Sequence, residues 1–132
     1  MIGPMRPLFA LGALILSGCA AGAATKPVAT VVQLGPSDRP YVELLRGPPQ
    51  SVSMESGAVS LAPHASVGEH DTEDYEELLV PLEGRGELRA RSQAPLALSP
   101  GLVAYTPPHT RHDVVNTGDV VFRYVYVAAR TR

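Results

Sequence analysis

Residues 70–84 read HDTEDYEELLVPLEG and residues 101–116 read GLVAYTPPHTRHDVVN, and these two stretches decide the fold. Each sets side chains able to bind metal beside a short apolar run, and each is bounded by glycine, proline or asparagine. On a strand, residues two apart share a face. His112, Val114 and Asn116 therefore form one set, against Asp113 and Val115. Glu77, Leu79 and Pro81 form another, against Leu78, Val80 and Leu82. With Glu77 and His112 turned inward, Leu79, Val114 and Asn116 line the same interior, and Tyr105 is a further candidate for its wall. An apolar wall holding a few polar groups suits a metal or a small ligand.

The same rhythm continues outward. From Val28 onward, short runs rich in valine, leucine and tyrosine alternate with glycine, proline, asparagine or aspartate, and no ten-residue stretch has helical periodicity. This pattern marks an all-β sandwich or barrel. Strands are expected over residues 30–34, 41–46, 51–55, 58–61, 77–82, 86–91, 96–98, 103–106, 112–116 and 120–128. Turn chemistry agrees at residues 83–86, 99–101 and 116–119, where glycine, proline or asparagine accommodates a bend. On the last strand Phe122, Tyr124 and Tyr126 alternate with Arg123, Val125 and Val127, and either set fits an interior.

Composition narrows the partners. The chain has 11 Lys and Arg against 13 Asp and Glu, a net charge of −2, which argues against nucleic acid, since that partner requires a basic stripe. Residues 1–18 read as an export signal: Arg6 precedes an apolar run, residues 8–16, shorter than the roughly 20 residues that span a bilayer. Residues 16–19, LSGC, resemble the bacterial lipoprotein processing site, which implies that Cys19, the only cysteine, becomes the lipidated first residue. More than one acyl chain anchors stably, so the mature protein is expected on a bacterial membrane in the cell envelope. Residues 19–27 are then a flexible tether, and residues 28–132 a single domain. One cysteine forms no disulfide within the chain, so stability must come from the core.

Both stretches resemble the signature motifs of the cupin superfamily, G-x5-H-x-H-x4-E-x6-G and G-x5-P-x-G-x2-H-x3-N. The first matches at His70, Glu77 and Gly84, the second at Gly101, Pro107, His112 and Asn116. Residues 59–127 look most like the small single-domain cupin type 2 group. The resemblance implies a double-stranded β-helix, a jelly-roll barrel whose mouth can hold one ion. It also implies a ligand set of His70, Glu77 and His112, with Thr72 in the place of the family's second histidine. Two imidazoles and a carboxylate resemble the facial triad and would hold iron, manganese, nickel or zinc with positions left open. Thr72 is expected to hold a metal-bound water. In the alternative there is no metal, and the histidines are polar plugs in the barrel. His64 and His109 stand where the motifs have glycine. Each is expected in a turn, either simply solvated or folded over the mouth to supply the missing imidazole.

Glu69, Asp71, Glu73, Asp74, Glu76 and Glu77 crowd the approach to this site, an acidic rim that draws cations and favours neutral or cationic ligands over phosphorylated ones. Three functions follow. The first is a membrane-tethered protein that binds a divalent metal, a small molecule or both in its barrel. The second is a metal-dependent enzyme, a dioxygenase or a sugar isomerase or epimerase, in which Tyr105, Tyr124 or Tyr126 orients substrate. The third is a non-catalytic, metal-free envelope protein that pairs as a homodimer through residues 30–46.

Overall fold

A computed structural model describes residues 26–132. The expected export signal, the lipidated Cys19 and all but the end of the tether lie outside the described residues. Nine strands form among those described: β1 Tyr41–Arg46, β2 Met54–Leu61, β3 His70–Asp71, β4 Tyr75–Glu83, β5 Gly86–Ala90, β6 Leu96–Leu98, β7 Ala104–Thr106, β8 Arg111–Asn116 and β9 Phe122–Arg130. They make a five-stranded sheet in the order β1-β2-β9-β4-β7 and a four-stranded sheet in the order β3-β8-β5-β6. Every pairing is antiparallel. The all-β barrel expected from the strand rhythm is thus what forms.

The core takes residues from both sheets. Val59, Leu61, Leu79, Ala104, Phe122 and Tyr124 come from the larger sheet and Leu88, Leu98 and Val114 from the smaller. Parity follows the sequence reading on β4 and β8, where Leu79, Val114 and Asn116 are each about 1% exposed. On β9 the open choice falls to Phe122, Tyr124 and Tyr126, which pair with Leu61, Val59 and Gly57 on β2. Gly57 lets two rings close over the strand. A Cβ there would come within 2.6 Å of Tyr41 and 2.7 Å of Tyr126, whose hydroxyls lie 3.0 Å apart.

Three expectations change. Residues 30–34 form no strand, and Val31 is 94% exposed. The segment is held instead by Arg123, which donates to the carbonyls of Leu34 and Gly35. The two strands expected over residues 51–55 and 58–61 are one continuous β2. Strand β3, two residues long, was not expected at all; it pairs His70 with His112 and Asp71 with Arg111. Pro81 sits in β4 beyond the stretch that pairs with β7, beside a shift of register, so its missing N–H breaks no β4–β7 ladder.

Candidate metal centre

His70 and His112 are cross-strand partners on β3 and β8, with ring centroids 4.3 Å apart and planes 57° apart. Glu77 reaches them from β4 in the opposite sheet. One ligand atom from each of the three residues lies within 4.8 Å of the others. The two histidines are oriented from behind. His112 Nδ1 lies 3.1 Å from the Thr110 carbonyl and His70 Nδ1 2.9 Å from the Gly68 carbonyl. A carbonyl only accepts, so each Nδ1 carries its hydrogen and each Nε2 is left with a lone pair. Gly68 is fixed in turn, since its N–H donates to Asp113, which also accepts from the Ser66 hydroxyl.

The geometry of His112 and Glu77 is what a cation requires. Nε2 and Oε2 approach to 3.0 Å, with the imidazole wholly buried and the carboxylate 13% exposed. With the hydrogen of the neutral imidazole on Nδ1, both atoms are buried without a hydrogen-bond partner. Buried polar atoms are almost always paired, so two orphans turned toward one point fit an absent ligand better than they fit each other. Burial opposes a charge on His112, but the Glu77 carboxylate and the Thr110 carbonyl outweigh it and raise its pKa above the usual imidazole value.

The remaining candidates separate. Thr72, in the missing histidine's position, already donates its hydroxyl hydrogen to the Pro107 carbonyl at 2.8 Å and accepts from Thr110 N–H at 2.9 Å. It fastens the loop before β4 to the turn before β8. Tyr105 is not in the pocket, because the register Glu77↔Thr106 turns Thr106 inward and Tyr105 outward. Tyr105 is 56% exposed and donates to Glu76. Asn116 faces inward, but its amide donates to the carbonyls of Leu61, Ala62 and Val120 and its oxygen accepts from Gly118 N–H, leaving nothing for a ligand. Leu79 and Val114 belong to the packed core.

His64 and His109 both occupy the turns expected of them, at φ of 61° and 55°, the left-handed conformation for which the motifs use glycine. Neither joins the centre. His64 lies beside Asp119 and His109 beside Asp74, each about 70% exposed. The rim is less acidic than its sequence suggests: Glu69 is bridged by Arg91 and Arg111, and Arg130 approaches Asp74. The reading from sequence missed Thr106, which is buried, unpaired and directly across from Glu77. Its neighbour Tyr105 was the more conspicuous residue, and only strand register tells the two apart.

Comparison with known proteins agrees with this architecture. The family described as the cupin domain matches residues 57–128. No curated protein matches the chain. Among solved structures, a cupin 2 conserved barrel domain protein from Salinispora arenicola is 27% identical, with a TM-score of 0.61 over 81% of this chain and 91% of that one. An RmlC-like cupin family protein with a double-stranded β-helix fold from Methanocaldococcus jannaschii is 16% identical, with a TM-score of 0.64 over 78% and 92%. A cupin domain from Schizosaccharomyces pombe is 18% identical, with a TM-score of 0.62 over 69% of this chain; the match spans 64% of that domain.

Proposed function

The chain belongs to the cupin domain family, and on that footing we propose that it binds a divalent cation through His70, Glu77 and His112, as a membrane-tethered protein whose barrel also takes a small molecule. One observation carries the metal reading: His112 Nε2 and Glu77 Oε2 are buried, 3.0 Å apart and unpaired, with His70 completing the group. Two imidazoles and a carboxylate favour iron, manganese, nickel or zinc over the hard, oxygen-seeking cations. Such an ion supplies Lewis acidity and open positions for an oxygen donor. The chain's own part is to hold the imidazoles by their Nδ1 hydrogens.

Metal titration of the full chain with Mn(II), Ni(II) and Zn(II), repeated on His112→Ala, tests this. A one-to-one ion in the wild type, lost in the variant, supports it. A wild type that takes up none of the three refutes it. The tether rests on Arg6, the short apolar run and LSGC at residues 16–19; Cys19→Ser should move the protein from the membrane fraction to the soluble one, and unchanged fractionation would end that part of the reading.

A second reading, a metal-dependent oxygenase or isomerase, is favoured by Tyr124 and Tyr126 on the interior wall. Burial holds both phenols far above their ordinary pKa, so they stay protonated; the Tyr126 hydroxyl already pairs with that of Tyr41, which leaves Tyr124 to donate to a substrate. Oxygen consumption by the metal-loaded chain against a panel of small neutral substrates separates oxygenase from binder.

A further inference from the structure

Four buried side-chain atoms lack a hydrogen-bond partner among the described residues: Glu77 Oε2, His112 Nε2, Thr106 Oγ1 and Arg123 Nε. The first two belong to the metal centre. Arg123 lies on the other face of β9, where its Nη2 already ties down the N-terminal segment. Thr106 is different. It is 1% exposed and stands directly opposite Glu77 in the β4–β7 ladder, on the same interior face. Side chains so paired across antiparallel strands lie within reach of one another, yet the hydroxyl makes no bond to Glu77 or to any backbone group. A threonine in a strand can leave its hydroxyl to solvent at no cost. One buried without a partner is a rare exception, and a bound ligand can supply the bond it lacks.

We infer that Thr106 is the fourth polar group of the centre: its hydroxyl hydrogen-bonds the oxygen, of water or of a small oxygen-donor ligand, that sits beside Glu77 on the bound cation. This rests on the metal reading above and assigns to Thr106 the task that sequence position had suggested for Thr72. The two threonines differ in one respect that matters. Thr72 has given its hydrogen to Pro107 and accepts one from Thr110, whereas Thr106 has both its hydrogen and its lone pairs free. Thr106 does not bind the metal as an imidazole would. It acts as a positioning residue through the oxygen it holds, with Glu77 accepting on the other side.

Thr106→Val removes the hydroxyl with almost no change of shape, and Thr106→Ser restores it. The full chain and both variants are stripped with chelator and titrated with Mn(II), Ni(II) and Zn(II), and their melting temperatures are measured with and without metal. Thr106→Val should weaken binding about tenfold, the usual effect of losing a group that supports a metal ligand. Its metal-free form should melt no lower than the metal-free wild type, because the hydroxyl it loses was unpaired there. Thr106→Ser should bind as the wild type does. Wild-type affinity in Thr106→Val would overturn the inference while leaving the metal site standing. So would a metal-free Thr106→Val that melts lower with its affinity unchanged, since the hydroxyl would then serve only the fold. A wild type that binds none of the three ions would overturn this inference and the metal reading together.

Discussion

His112 is held between two demands, since burial disfavours its charge while the Glu77 carboxylate beside it favours one. With its pKa raised in the folded state above the ordinary 6.5, the protonated pair stabilises the metal-free protein fully below that value. The contribution is lost as pH rises through the folded pKa. Metal binding runs the other way, because the cation must displace that proton. Melting temperatures of the chelated wild type should therefore fall as pH rises through the histidine range while Mn(II) affinity climbs, and the same pH series on His112→Gln should show neither trend. Asn116 marks a different kind of residue. Its amide satisfies three carbonyls and one N–H from two segments, residues 61–62 and 118–120, so Asn116→Ala should cost about 3 kcal/mol or more in denaturant unfolding, at roughly 1 kcal/mol for each bond lost. Tyr105→Phe should leave metal binding unchanged and cost under about 0.5 kcal/mol, the usual effect at an exposed position. Of these residues, His70, Glu77 and His112 were legible from the resemblance of their two stretches to the cupin motifs. The roles of Thr72 and Thr106 were not, because a hydroxyl's partners depend on which loop or strand lies opposite.

Turns and strands were the most legible level, and their failures have local causes. The runs in β4, β5, β8 and β9 alternate long enough for period two to show, whereas β3 has two residues, too few for any period. Residues 30–34 carry a strand-like composition but pair with no neighbour; the free edge of β1, the outermost strand of the larger sheet, stays open, and Arg123 holds the segment at Leu34 and Gly35 instead. The same distinction between local pattern and surroundings applies to the two motif glycines. Both Gly84 and Gly101 take positive φ, at 72° and 94°, which costs other residues about 1–2 kcal/mol. At Gly101 an added Cβ meets nothing within 4 Å, while at Gly84 it would run into the Val121 carbonyl and lie 3.1 Å from the Phe122 Cα. Gly101→Ala should therefore lose about 1 kcal/mol in chemical denaturation. Gly84→Ala should lose clearly more, because β9 must shift to admit it; equal losses would show that backbone conformation alone governs both turns.

The centre joins the two halves of the molecule, since Glu77 belongs to the five-stranded sheet and both histidines to the four-stranded one. An ion bound there cross-links sheets otherwise held by side-chain packing, and it exists as a site only while both sheets are in place. A ligand that binds the folded chain alone stabilises it by about 2.7 kcal/mol when present at a hundred times its dissociation constant. For a domain of this size each kcal/mol moves the melting temperature by about 4–8 °C. Saturating metal should accordingly raise the melting temperature of the chelated wild type by roughly 10 °C or more, and chelator should return it. His112→Ala and Glu77→Ala, which take the ligand from opposite sheets, should each abolish that rise. A rise that survives in Glu77→Ala would mean that the ion is held by the four-stranded sheet alone, and then the link between the sheets is the packed core of Leu79, Leu88, Val114 and Phe122 rather than the metal.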